Sequence, residues 1–102
     1  MNGFVRAVSI KKLGEGKMVG LELGDKMVLL MNSAGRYYGL GNRCTHMGCM
    51  LSDGRLRKDL IQCACHGSVF DVKTGSVVRG PAAEPEPTFE VRLDGEDILV
   101  NV

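Results

Sequence analysis

The chain has 102 residues, of which 44% are hydrophobic and 5% aromatic, so it forms one small domain whose core rests on aliphatic residues and methionine. Thirteen basic and twelve acidic residues give a net charge of +1, which excludes an overall field that attracts nucleic acid or a membrane. The longest apolar run, Met27–Met31, is far shorter than the ~20 residues of a membrane-spanning helix.

The N-terminal segment, residues 1–12, lacks the charged-then-apolar order of a signal peptide. The initial Met1 favours an intact reading frame. We therefore expect a cytoplasmic, monomeric protein that binds neither nucleic acid nor a membrane.

Short β-rich runs recur along the chain, separated by turn signals. Two of the turns, Gly24-Asp25 and the one beginning at Asp94-Gly95, are typical of two-residue hairpin loops because glycine tolerates a positive φ. In chain order, the predicted strands are Phe4–Ile10, Met18–Leu23, Lys26–Met31, Arg36–Leu40, Leu60–Gln62, Ser76–Val78, Thr88–Leu93 and Asp97–Val102.

Alternating apolar residues in the last two runs indicate strands with one buried face. They are Phe89, Val91 and Leu93 in one run, and Ile98, Val100 and Val102 in the other. Many short strands at this spacing predict an all-β fold, an antiparallel sandwich or barrel.

The composition divides the domain into two parts. Residues 1–40 and 84–102 contain no cysteine or histidine, whereas residues 41–83 contain all of them. We expect a β scaffold with a small ligand-bearing lobe inserted into it. The stretch Gly80–Pro87 contains all three prolines, which disfavour ladder hydrogen bonds, and it is predicted to be the return link.

Two short boxes, Cys44–Cys49 and Cys63–Ser68, hold every cysteine and histidine of the chain. Each box supplies a cysteine and a histidine, in the pattern Cys-x-His and Cys-x-x-His. Sulfur and imidazole ligands select zinc, copper or an iron–sulfur cluster. Mixed pairs are unusual for structural zinc, but a zinc-stabilised interaction module stays open, as does a set of buried cysteines without metal.

The boxes CTHMGC and CACHGS match the Rieske motif in spacing and flanking residues, and residues 42–83 resemble that family most strongly. The resemblance implies one [2Fe–2S] cluster per chain, bound by Cys44 and Cys63 on one iron and by His46 and His66 on the other. Such ligation supports one-electron chemistry at roughly −150 to +300 mV, with proton exchange at the histidines.

The remaining cysteines, Cys49 and Cys65, stand where some Rieske proteins of the high-potential branch have a disulfide. The resemblance implies that bond here, and two free thiols in a reducing cytosol are the alternative. It also implies that Ser68 donates a hydrogen bond to a bridging sulfide. Phe70 stands where that branch commonly has a tyrosine, and the resemblance implies that Pro81, in the Gly-Pro pair downstream, lies beside the cluster.

No catalytic triad, phosphate loop or carboxylate cluster for mononuclear iron is present in the sequence. The resemblance therefore implies an electron carrier rather than an enzyme, passing electrons from a reductase to an oxygenase or another oxidoreductase. The alternative is a Rieske subunit or ferredoxin component of such a system.

The segment from Arg43 to Arg79 carries six of the thirteen basic residues and three acids. A solvated face explains this excess without any binding function. A docking patch for an acidic partner is the functional interpretation.

Overall fold

The computed structural model describes residues 3–45, 48–65 and 67–102, and the all-β fold predicted from the sequence is confirmed. Eleven strands lie in these ranges, and every pairing between them is antiparallel. They are β1 (Phe4–Ser9), β2 (Met18–Leu23), β3 (Lys26–Ser33), β4 (Arg36–Gly41), β5 (Arg55–Arg57), β6 (Leu60–Gln62), β7 (Val69–Asp71), β8 (Val77–Arg79), β9 (Thr88–Phe89), β10 (Val91–Asp94) and β11 (Asp97–Asn101).

The strands form three sheets, in the orders β1-β11-β10, β2-β3-β4-β9 and β5-β6-β7-β8. Single 3₁₀ turns lie at Ile10–Lys12 and Leu51–Asp53. Within the described ranges, no helix is long and apolar enough to cross a bilayer.

Strand β3 separates two hydrophobic cores. Leu29 and Met31 pack into one core, while Val28 and Leu30 pack into the other. All four are fully buried, because successive side chains of a strand point to opposite faces. The continuous apolar run of β3 therefore reflects a strand that is covered on both sides.

Both predicted hairpin loops are confirmed. Leu23 pairs with Lys26 across Gly24-Asp25, and Asp94 pairs with Asp97 across Gly95-Glu96. The first residue of each loop is a glycine with positive φ, 64° at Gly24 and 62° at Gly95.

The single strand predicted over Thr88–Leu93 is wrong, because the chain changes sheets at Glu90. β9 pairs with β4, whereas β10 pairs with β11 in another sheet. The predicted burial of Leu93 is also wrong, since this residue is 50% exposed. It lies on the edge strand, and its cross-strand partner Ile98 on the central strand takes the buried position.

Two strands were not predicted from the sequence, namely β5 and β7. Each has only three residues, too few to show a period, as do β6 and β8, whose positions were predicted from β-rich composition instead. In β5 one apolar residue stands between two arginines, and β7 follows directly on the second box. They complete the small sheet β5-β6-β7-β8, and the chain segment between β6 and β7 holds the second cysteine–histidine box.

Candidate metal centre

The first box lies in a loop that follows β4, and hydrogen bonds of Asn42 hold the two ends of this loop together. The Asn42 N–H donates to the Met27 carbonyl (2.9 Å), and the Leu51 N–H donates to the Asn42 carbonyl (2.7 Å). The Asn42 side chain donates to Ser52 Oγ (3.1 Å) and accepts the Ser52 N–H (2.9 Å). The loop is thereby fixed at its base against β3.

The two boxes share one backbone hydrogen-bond pattern. The Cys44 N–H donates to the carbonyl five residues later, at Cys49 (2.6 Å), and the Gly48 N–H donates back to the Cys44 carbonyl (2.8 Å). In the second box, Cys63 N–H donates to the carbonyl five residues later (2.8 Å), and the N–H four residues on returns to the Cys63 carbonyl (3.1 Å). Two similar loops therefore present equivalent cysteines.

Both loops need glycine at the same relative position. Gly48 and Gly67 each stand four residues after the first cysteine and have φ values of 78° and 80°. A side chain is strained in this left-handed region. The glycine in each box thus allows the N–H to turn back towards the cysteine carbonyl.

The structure brings Cys44 and Cys63 into one buried core. Their exposed fractions are 3% and 2%, and they share a hydrophobic cluster with Phe70. The predicted ligands His46 and His66 lie outside the described residues. The structure thus locates the two predicted sulfur ligands and leaves the two imidazole ligands as a prediction.

The disulfide that the resemblance implies is present. Cys49 and Cys65 are bonded, with Cα atoms 6.5 Å apart, and the bond joins the two loops. The Sγ atoms of Cys49, Cys63 and Cys65 all lie within 4.8 Å of one another. Because Cys65 is exposed while Cys63 is buried, the disulfide lies between solvent and the predicted ligand.

Three further residues were predicted to surround the cluster. Ser68 is completely buried, and its hydroxyl accepts the Ala82 N–H (3.0 Å), so the hydroxyl proton remains available for a second hydrogen bond. Phe70 is completely buried in the core that contains both predicted sulfur ligands. Pro81 is exposed and immediately precedes Ala82 in the return link.

The return link, residues 80–87, has no regular strand, as predicted, but it contacts both loops. Ala82 binds Ser68 of the second loop. Thr45 of the first loop donates its hydroxyl to the Glu84 carbonyl (2.6 Å) and its N–H to the Glu86 carboxylate (2.9 Å). The link therefore holds the two boxes in place relative to each other.

Glu86 is a buried carboxyl that sequence reasoning missed. It is only 3% exposed. Its side chain packs closely against Gly41, where the Cβ of any other residue would lie only 2.9 Å from Glu86 Oε1. Burial raises the pKa of Glu86 to about 7, although the hydrogen bond from the Thr45 N–H lowers it. Nothing in the sequence distinguishes Glu86 from the exposed Glu84 and Glu90, because its burial depends on how the link folds back.

We predict that Glu86 makes the stability of the fold depend on pH. A pKa above the ordinary value of 4.5 means that the folded state binds the proton more tightly than the unfolded state. This contribution is present below pH 4.5 and is lost as the pH rises to about 7. Glu86→Gln should remove this loss. Denaturant unfolding of both proteins at a series of pH values measures the free energy of unfolding. If this free energy changed with pH in the same way in both proteins, the raised pKa of Glu86 would be contradicted.

The two predicted sulfur ligands are placed to bind one metal cluster from two loops. Two buried cysteines come from two loops with the same backbone pattern, and a disulfide and the return link connect those loops. Thiolates are ligands for zinc and for iron–sulfur clusters. Hydrogen bonds and the disulfide hold the two loops together around two buried sulfurs, an arrangement that suits such a centre.

Comparison with known proteins points to one family. Residues 3–93 match the Rieske [2Fe–2S] domain family. The ferredoxin component of biphenyl 2,3-dioxygenase from Rhodococcus jostii (strain RHA1) is 36% identical over 90 residues, covering 88% of this chain and 84% of that protein.

Two solved structures show the same fold over nearly the whole chain. The ferredoxin of carbazole 1,9a-dioxygenase from Nocardioides aromaticivorans IC177 has a TM-score of 0.91 and 27% identity, covering 95% of each chain. A complex of reduced oxygenase and oxidised ferredoxin in carbazole 1,9a-dioxygenase contains a chain with a TM-score of 0.91 and 25% identity, covering 96% of this chain and 92% of that one.

Proposed function

Because the chain belongs to the Rieske [2Fe–2S] domain family, we propose that it is a one-electron carrier between a reductase and a terminal oxygenase. Its whole-chain relatives are ferredoxin components of dioxygenases, and one similar structure is a ferredoxin in complex with its oxygenase. The observation that carries the proposal is the pair of equivalent loops that bring Cys44 and Cys63 together in one core.

The proposed cluster ligands are Cys44 and Cys63 through sulfur, and His46 and His66 through nitrogen. When bound, a [2Fe–2S] cluster with two histidine ligands takes up and releases one electron at a higher potential than an all-cysteine cluster. The chain's own contribution is to bury the two sulfurs and to hold both loops rigidly. We also infer that residues 41–83 act as the cluster lobe on a scaffold of residues 1–40 and 84–102, and that the protein is cytoplasmic.

The disulfide adds a feature of the high-potential branch to a chain whose relatives are dioxygenase ferredoxins. We propose that it protects the cluster from water, since its sulfurs lie within 4.8 Å of the Cys63 sulfur. Phe70 offers no hydroxyl to the ligand cysteines, so the potential should lie below the top of the Rieske range of roughly −150 to +300 mV.

Ser68→Ala is expected to lower the reduction potential. The Ser68 hydroxyl accepts the Ala82 N–H and retains a proton that would stabilise extra negative charge on the reduced cluster. The matched control is Ser33→Ala, which removes a buried hydroxyl that donates to the Lys58 carbonyl at the far end of the β5–β6 hairpin. A redox titration measures both variants. Equal potentials in Ser68→Ala and the wild type would show that the hydroxyl does not contact the cluster.

The direct test of the proposed function is metal and sulfide analysis, followed by an anaerobic redox titration. We expect two irons, two acid-labile sulfides and one reversible electron per chain. Bound zinc without labile sulfide would overturn the proposal and support the zinc-stabilised interaction module instead.

A further inference from the structure

The small sheet β5-β6-β7-β8 has one apolar face and one basic face. Its inner cross-strand row runs from Leu56 through Ile61 and Phe70 to Val77. Ile61 and Phe70 are completely buried in the hydrophobic core that contains the two predicted sulfur ligands. Its outer face lines a groove of about 330 Å³. We call this outer surface the arginine face; it consists of Arg55, Arg57, Leu60, Gln62, Val69, Val78 and Arg79.

The centre of the arginine face is apolar and exposed. Val78 is 56% exposed and Leu60 is 38% exposed, and they are two of the four large hydrophobic residues that are exposed in the described part of the chain. Apolar residues surrounded by charged ones are typical of protein–protein contact sites.

The arginines of the arginine face form no ion pair with the described carboxylates. Across residues 3–45, 48–65 and 67–102, none of its three arginines forms a salt bridge within 4.0 Å. One carboxylate, Asp71, lies on the same outer face as the cross-strand partner of Leu60; it is half-buried and accepts the Lys73 N–H (2.8 Å). By contrast, Arg6 and Arg92 on the three-stranded sheet each pair with a carboxylate. The arginine face therefore attracts negative charge.

The arginine face lies directly beside the second loop. One outer row of cross-strand partners runs Arg55, Gln62, Val69, Arg79, about 14 Å across at ordinary strand spacing. Gln62 immediately precedes Cys63, and Val69 immediately follows Ser68. A partner seated on this row is therefore adjacent to a proposed cluster ligand.

We propose that the arginine face is the docking surface for an acidic patch, with an apolar centre, on a redox partner protein. The proposal rests on the proposed electron-carrier function and specifies which surface and which partner chemistry that function uses. Positive charge beside a proposed cluster ligand steers an acidic partner into a productive orientation and raises its association rate. The basic excess noted in the sequence between Arg43 and Arg79 thereby acquires a role beyond solvation.

The test uses two protein probes that carry the same haem and opposite surface charge. One is cytochrome c, whose surface is basic, and the other is cytochrome c with succinylated lysines, whose surface is acidic. The bimolecular rate constant of electron exchange with the intact protein is measured by stopped flow at several ionic strengths. The test variant is Arg57→Glu/Arg79→Glu, and the matched control is Lys12→Glu/Lys17→Glu, which changes the net charge equally at exposed sites outside the arginine face.

At low ionic strength, the test variant should exchange electrons with succinylated cytochrome c about tenfold more slowly than the wild type, the lower end of electrostatic steering effects. It should react faster with native cytochrome c, and added salt should remove both differences. Val78→Thr should slow exchange with succinylated cytochrome c at all salt concentrations. The absorption spectrum and potential of each variant are recorded first, so that changes in folding or driving force are separated from docking.

Equal rate constants in the test and control variants would overturn the docking proposal while leaving the electron carrier intact. No electron exchange by the wild type with either probe would instead overturn the proposed function. A wild-type dimer in sedimentation that dissociates in Arg57→Glu/Arg79→Glu would make this surface a contact between copies of the chain. Wild-type binding to DNA or anionic vesicles that is lost in the same variant would assign it to those ligands.

Discussion

Cys63→Ala is expected to yield a folded protein that lacks iron and labile sulfide. Cys63 is 2% exposed, and the two other sulfurs within 4.8 Å of its own belong to the Cys49–Cys65 disulfide, so neither is free to take its place. The loss should be complete, because removing one of the four proposed ligands would leave a cluster iron open. Absorption spectra and iron analysis of the purified variant measure the effect.

The matched control for this prediction is Cys65→Ser, two residues along the same loop. It removes a sulfur from the disulfide but no proposed ligand, and the cluster spectrum should remain recognisable. A Cys63→Ala protein that still carries two irons and two labile sulfides would show that Cys63 is not a ligand.

Removing the disulfide is expected to give the second large effect, a loss of folding stability. The bond links residues 16 positions apart, and closing a loop of about that length contributes about 3 kcal/mol in the chain-entropy description. The gain should be smaller with the cluster bound, since the cluster itself crosslinks the two loops. Cys49→Ser/Cys65→Ser should therefore unfold at lower denaturant and lose its cluster faster.

Equilibrium unfolding of the wild type and the double variant measures this difference, and thiol counting on the denatured, unreduced protein checks the bond itself. Two thiols beyond those of Cys44 and Cys63 would contradict the disulfide. Unchanged unfolding and cluster loss in the double variant would show that the bond does not support the loops.

Local sequence patterns were sufficient for most of the scaffold. Gly24 and Gly95 identified their hairpins because the signal lies within a few residues. The predicted strand Met18–Leu23 has the bounds that the structure shows. Strand β5 escaped prediction because it shows neither a period nor a β-rich composition, with one apolar residue between two arginines. The break at Glu90 depends on which sheet each half joins.

For the candidate site too, some features could be predicted from local sequence and others could not. The spacing and flanking residues of the two boxes were enough to identify the family, and the resemblance to that family implied the Cys49–Cys65 disulfide. The burial of Glu86 and the arrangement of Arg55 and Arg79 at the two ends of one row depend on long-range packing. Such arrangements leave no mark on spacing or periodicity.

The central claim is that two imidazoles and two thiolates bind one [2Fe–2S] cluster. The most direct measurement is pulsed EPR of the reduced protein after labelling its histidines with ¹⁵N. Since His46 and His66 are the only histidines in the chain, we predict two coordinated nitrogen nuclei with strong hyperfine couplings, both of which change on labelling. A reduced cluster whose spectrum contains no histidine nitrogen coupling would contradict the claim.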